Sequence, residues 1–287
     1  MRIITTFVAL IASLLIAPSA VQAQLFATGP VVNGHHHLNV TDADEHLRFW
    51  VDTLDGKAGT FGNGTPIVLF PNALIFLRDQ DPSGPSIGST VNHVGFSVQN
   101  LRETVDRLVD AGYEMVTATQ APPGVQVVDD IGIIGGNRPV SGIAYVIGPD
   151  GIKVEVLEMR AQDVPIVSHH IHFFGENADE MRDWYIDVFG ASERSVQTAG
   201  IIGADLPGLG LNFTATSESV AGTAGRVLDH IGFEVEGLES FIAQIEAKGI
   251  TLDRPYREIP AAGIAIAFLT DPWGTYIELT EGLDAVR

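Results

Sequence analysis

The stretch Asn92-His93-Val94-Gly95-Phe96 returns in the second half of the chain as Asp229-His230-Ile231-Gly232-Phe233. Each copy alternates polar and apolar side chains, the two-residue period of a half-buried β-strand. The matches continue outward in order. Gly148-Pro149-Asp150-Gly151-Ile152-Lys153-Val154-Glu155 aligns with Asp271-Pro272-Trp273-Gly274-Thr275-Tyr276-Ile277-Glu278. Gly34-His35-His36-His37 aligns with Ser168-His169-His170-Ile171-His172, and Phe49-Trp50 with Trp184-Tyr185. An ordered series of this kind is an internal repeat.

Each half divides again. His35, His93, His170 and His230 each open an alternating strand. Seven residues beyond each stand Asp42, Asn100, Asn177 and Gly237, types suited to a helix N-cap. Leu47, Trp50, Val51 and Leu54 are then spaced i, i+3, i+4, i+7, as are Met181, Trp184, Tyr185 and Val188. Leu238, Phe241, Ile242 and Ile245 repeat that helical spacing, with Leu101, Val105, Leu108 and Val109 a close variant. Gly112, Gly190 and Gly249 stand where a helix end favours a left-handed residue. Two or three strand candidates follow each helix, among them residues 67–70, 73–77 and 264–269. The unit is therefore βαβββ, used four times. We expect an α/β (α+β) protein whose four modules pair into two domains, residues 33–159 and 166–283. Each domain should be an open mixed sheet curled into a cup with helices outside. Arg160-Ala161-Gln162-Asp163-Val164-Pro165 reads as the linker, and the first half carries extra residues around Pro122-Pro123-Gly124.

Composition narrows the partners. The formal net charge of −20 excludes nucleic acid and anionic membrane surfaces, which need a basic face. With no cysteine, a metal site must use His and carboxylate rather than thiolate. Arg2, an uncharged apolar run to Ile16, and Val21-Gln22-Ala23 have the order of a signal peptide spanning residues 1–23. Export to the periplasm or medium, with Gln24 first in the mature chain, is the expectation. No later stretch is long and apolar enough to span a bilayer, and the sequence leaves homo-oligomer formation open.

Strand alternation puts His35, His37, His93, His170, His172 and His230 on the polar faces, with Lys153, Glu155, Tyr276 and Glu278 beside them. Pairing modules in chain order places His35, His93 and Glu155 in one cup, and His170, His230 and Glu278 in the other. Two imidazoles and a carboxylate hold a divalent metal and leave coordination positions open. His37 and His172 face the same cups as acid–base groups or alternative ligands, and Tyr276 could orient substrate. His36 falls on the opposite face, while Trp50, Trp184 and Tyr185 lie on apolar helix faces and belong to the core. Lys153 stands on the same strand face as Glu155, where it can pair with that carboxylate and repel a cation. The cup containing Glu278, with neutral Tyr276 instead, should bind metal more tightly.

These motifs resemble the vicinal oxygen chelate superfamily, which includes glyoxalases, fosfomycin- and bleomycin-resistance proteins and type I extradiol dioxygenases. The resemblance rests on His35, Asp42 and Phe49-Trp50, on Asn92-His93-Val94-Gly95-Phe96, on Gly151-Ile152-Lys153-Val154-Glu155, and on their second-half counterparts. It implies paired βαβββ modules around a cup, with ligands from the first strands of both modules and the last strand of the second. Glyoxalase I-type members add a carboxylate ligand on the last strand of the first module. Ala73-Leu74-Ile75-Phe76-Leu77 and Leu211-Asn212-Phe213 offer no Glu or Gln there. The resemblance thus implies a three-ligand centre acting on a small substrate with vicinal oxygens, as in an extradiol dioxygenase. Fe(II) or Mn(II) is the favoured ion, with Zn or Ni as other choices. A metal-free sequestering protein of the resistance type and a glyoxalase-type lyase or isomerase are the alternatives.

Overall fold

The computed structural model describes residues 29–136, 139–194, 200–283 and 286. The proposed leader lies outside them. The first module runs β1 (Val31–Val40), α1 (Ala43–Leu47), β2 (Lys57–Phe61), β3 (Thr65–Phe70) and β4 (Ala73–Asp79). The second opens with β5 (Val91–Val98) and α2 (Leu101–Asp110), followed by β6 (Glu114–Met115) and α3 (Thr117–Gln120). It closes with β7 (Gln126–Val128), β8 (Ile131–Ile133), β9 (Gly142–Ile147) and β10 (Lys153–Glu158). The third holds β11 (Ile166–Gly175), α4 (Ala178–Phe189), β12 (Ser192–Glu193), β13 (Ile202–Leu206) and β14 (Leu209–Ala215). The fourth holds β15 (Leu228–Val235), α5 (Leu238–Ala247), β16 (Arg254–Ile259), β17 (Ile264–Thr270) and β18 (Tyr276–Glu281).

Helix starts follow the capping chemistry of the sequence. Asp42 accepts from the backbone N–H of Asp44 and Glu45, Asn100 from Glu103, and Asn177 from Glu180. Gly237 has no side chain to offer. The carboxylate of Glu281 substitutes, accepting from the N–H groups of Gly237 and Leu238. After Leu47 the first helix widens into a π-helical segment, Arg48–Thr53, that buries Phe49 and Trp50.

The four modules form two open mixed sheets, but they do not pair in chain order. One sheet has the order β16-β17-β18-β15-β1-β4-β3-β2, joining the first module to the fourth. The other, β12-β13-β14-β11-β5-β10-β9-β8-β7, joins the second to the third. The seams are antiparallel: His37 lies opposite His230 across β1–β15, and His172 opposite His93 across β5–β11. Alternation fixes which face a side chain takes, yet it is the same whichever strand lies alongside. The short connection from β10 to β11 sets the third module beside β5, so the second sheet closes between halves.

The two modules of each half meet instead in the core. Trp50 packs on Phe96 at 5.7 Å between ring centres, and Phe70 on Phe96 at 4.7 Å, uniting the first two modules. Phe189 packs on Phe233 at 4.8 Å, uniting the last two. Tyr185 is fully buried, and its hydroxyl donates to Asp271 at 3.0 Å. Each half thus shares an apolar interior, whereas each concave polar face is built across the halves. Asn33 and Ser168, at matched positions of β1 and β11, bond to each other where the two sheets meet.

Candidate metal centres

The pairing of modules regroups the expected ligands. His35, His230 and Glu278 share one cup with His37, while His93, Glu155 and His170 share the other with His172. The six residues are those of the sequence expectation. The partition is corrected: His35 exchanges places with His170, because β1 lies against β15 and β11 against β5.

The ring of each exchanged His lies over a glycine of the recurring motif. A Cβ on Gly232 would come within 2.1 Å of the His35 ring, and one on Gly95 within 2.1 Å of His170. Any side chain at either position would evict a ligand. This accounts for the glycine in both His-x-Gly-Phe stretches.

In the first cup, Oε2 of Glu278 lies 2.9 Å from Nε2 of His35 and 2.9 Å from Nε2 of His230. In the second, Oε2 of Glu155 lies 2.9 Å from Nε2 of His93 and 3.2 Å from Nε2 of His170. Tautomers follow from the outer nitrogens. Nδ1 of His230 donates to Asp229 at 2.6 Å, and Nδ1 of His93 to Oδ1 of Asn92 at 2.9 Å. When neutral, each ring therefore turns the lone pair of Nε2 toward a carboxylate oxygen, a contact that needs a cation. Donor separations of 2.9–3.2 Å match adjacent corners of a coordination sphere with bonds of about 2.1 Å. Two further nitrogens are buried with no hydrogen-bond partner: Nε2 of His37 and Nδ1 of His172. The donor set and its orphaned nitrogens fit a divalent ion in either cup.

Electrostatics separates the two. Burial opposes protonation of His230, but hydrogen bonds to Asp229 and Glu278 outweigh it and raise its pKa. Burial dominates at His93, with Glu155 opposing, and its pKa falls to about 4. Both ligand carboxylates resist burial and stay ionised through their imidazole partners, well below the usual carboxylate range. Burial lowers His37 to about 3 and holds His172 well below its ordinary value, so both rings are neutral.

Lys153 is buried in the second cup but does not pair with Glu155 as expected. Its Nζ donates to Asn92 at 3.1 Å and to Gln120 at 2.8 Å, over the ring of Tyr145. Burial lowers its pKa to about 8, with Glu155 opposing. Gln120 comes from the extra segment of the first half, which thereby gains a role at this site. Tyr276 stacks on Phe268 and meets the edge of His230 at 5.5 Å, a wall position. His36 faces away, buried, with both ring nitrogens unpartnered. Asn92 and Asp229 were missed as orienting residues, although each immediately precedes its His in the repeated motif.

A chain of four βαβββ modules in two cupped sheets, with His/Glu groups that could hold a metal, defines the class. Residues 167–279, spanning the third and fourth modules, match the family model of the Glyoxalase/Bleomycin resistance protein/Dioxygenase superfamily. Glyoxalase I from Zea mays has a similar fold, with a TM-score of 0.67 at 13% identity, covering 88% of this chain and 93% of that one. A candidate dioxygenase from Bacillus subtilis gives a TM-score of 0.62 at 12% identity, covering 87% and 84%. At such identities the likeness concerns fold alone. No curated protein matches the sequence.

Proposed function

We propose that the protein is a metal-dependent enzyme acting on a small molecule that chelates the metal through two neighbouring oxygens. Oxygen-dependent ring cleavage of the extradiol type is the leading chemistry. The observation that carries this reading is the position next to the triad of the first cup. Phe76 stands there on β4, edge-on to His35 at 5.1 Å and stacked on His37 at 5.7 Å. A ring occupies the strand where a fourth, carboxylate ligand would come from, which favours a three-ligand centre with open positions.

His35, His230 and Glu278 would hold the ion. A bound Fe(II) or Mn(II) would supply Lewis acidity and, with a redox-active metal, electrons for oxygen chemistry. The chain supplies the rest. Phe76, Phe268 and Tyr276 form flat apolar walls suited to a planar ring and exclude water from it. His37 is neutral and keeps Nε2 free of other partners, so it can accept a hydrogen bond from a substrate hydroxyl. Asp229 fixes the ring of His230.

The test is oxygen uptake by Fe(II)- or Mn(II)-loaded protein with catechols. Consumption that stops without oxygen supports the reading. Turnover of a vicinal-oxygen substrate undiminished without oxygen would replace it by a lyase or isomerase. Export belongs to the same proposal, and mass spectrometry of mature protein should find Gln24 at the N-terminus.

A further inference from the structure

The wall of the Glu278 cup contains an irregularity. Along β16 and β17, Arg254 pairs with Phe268 and Arg257 with Ile266. Three residues on one strand thus span two on its partner, a β-bulge. On a regular strand, positions 254 and 257 would point to opposite faces. The bulge brings both arginines opposite Phe268 and Ile266, which belong to the apolar lining of this cup with Phe76. A groove of about 360 Å³ runs between Arg254, Arg257, Tyr256, Ile266 and Phe268.

The guanidinium of Arg254 lies 5.0 Å above the ring of Phe268, which reaches inward to the edge of His230 at 5.6 Å. Among the described residues neither Arg254 nor Arg257 has an ion-pair partner, although the chain carries 36 acidic residues. Arg102, Arg107, Arg160, Arg182 and Arg194 are all engaged by carboxylates. Asp253 is bonded to the hydroxyl of Thr270 and Glu258 to that of Tyr256.

The other cup reaches a similar arrangement by another route. Tyr145 lies opposite Glu155 as Phe268 lies opposite Glu278. Lys153, from a different strand position, places its ammonium 4.7 Å above that ring. A cation thus covers the corresponding aromatic ring beside each triad, supplied from non-equivalent positions.

We propose that the Glu278 cup takes organic acids, with Arg254 and Arg257 anchoring a carboxylate at the rim while the chelating oxygens of the same molecule reach the triad. This rests on the proposed metal-chelating function and adds the substrate's charge class. Guanidinium groups suit the task because they present forked donors to a planar carboxylate. Against the repulsive field of a net charge of −20, a local pair of cations is what makes an acid acceptable.

The probes are 3,4-dihydroxybenzoate and catechol, which share the chelating diol and differ by one carboxylate. Calorimetry on anaerobic Mn(II)-loaded protein should show the acid binding at least about tenfold more tightly. In Arg254→Gln/Arg257→Gln that preference should vanish while catechol affinity and Mn(II) content stay unchanged, and Arg254→Lys/Arg257→Lys should restore part of it. Equal affinity of wild type for both probes overturns the anion anchor and leaves the metal reading standing. A preference retained in the glutamine variant overturns its assignment to these arginines. Binding of neither probe to protein that holds Mn(II) overturns the vicinal-oxygen reading and the anchor with it.

Discussion

In the Glu278 cup the outer nitrogen of His230 meets the carboxylate of Asp229. In the Glu155 cup the same nitrogen of His93 meets the amide of Asn92, shared with the ammonium of Lys153. The walls differ as well. Ile67, Leu74 and Phe76 line the first-module side of one cup. Arg194 crosses the third-module side of the other, bonded to Asp205 and Asn212. Near the triad, Glu278 and Asp229 give two negative charges and the cation over the wall ring, Arg254, is exposed to solvent screening, whereas the buried Lys153 offsets Glu155. One ligand set has thus been kept in two settings, one electrostatically welcoming to a divalent cation and the other nearly neutral. The candidate ligand types are the same in both cups; single neighbouring positions set the difference.

The largest effect should come from exchanging those neighbours. Asp229→Asn should weaken metal binding in the Glu278 cup by about ten- to a hundredfold, the usual scale for a residue that orients a ligand. Lys153→Met should tighten binding in the Glu155 cup by about tenfold, since it removes a cation from a poorly screened site. Calorimetric titration with Mn(II) reads both. If Lys153→Met leaves the weaker site unchanged, charge is not what separates the cups.

The glycines beneath the rings allow a finer comparison. Gly232→Ala should displace His35, remove metal from the Glu278 cup alone, and cost about 1–3 kcal/mol of stability. Gly95→Ala should do the same to His170 and the Glu155 cup. Site-resolved metal content and thermal unfolding measure the two effects, and loss of both sites from one substitution would refute their independence.

The smallest effect concerns the face turned away from the cups, where β1 has His36 and β11 has Ile171. Burial lowers the pKa of His36 to about 3, from 6.5 when exposed. Between these values the unfolded chain binds a proton that the folded chain does not. Stability should therefore fall as pH drops from about 6.5 toward 3. His36→Ile should stabilise the protein by about 1–2 kcal/mol near neutral pH, by removing unpartnered buried nitrogens, and by more at pH 5. Denaturant midpoints at pH 5 and pH 8 give the comparison; an equal gain at both would show that His36 does not titrate on unfolding.

Much of this arrangement was legible from residues alone. The alternation around His93 and His230 identified strands and faces, and Asp42, Asn100 and Asn177 marked where helices begin. The ligand types were visible because two copies of each motif carried them. Three features were not. The neighbour of β1 is chosen by how modules dock, which a strand's own period does not encode. The partner of Lys153 depends on Gln120, brought in by a segment without a counterpart in the repeat. The cup-side placement of Arg257 depends on a bulge, which a strict two-residue alternation counts to the wrong face.

The building of each cup across the sequence halves can be tested by counting ions in paired variants. At saturating Mn(II), His35→Ala/Glu278→Gln should strike one site twice and leave one ion per chain. His35→Ala/Glu155→Gln should strike both sites and leave none. One ion retained by His35→Ala/Glu155→Gln, with none in His35→Ala/Glu278→Gln, would put His35 back with Glu155 and contradict the pairing of β1 with β15.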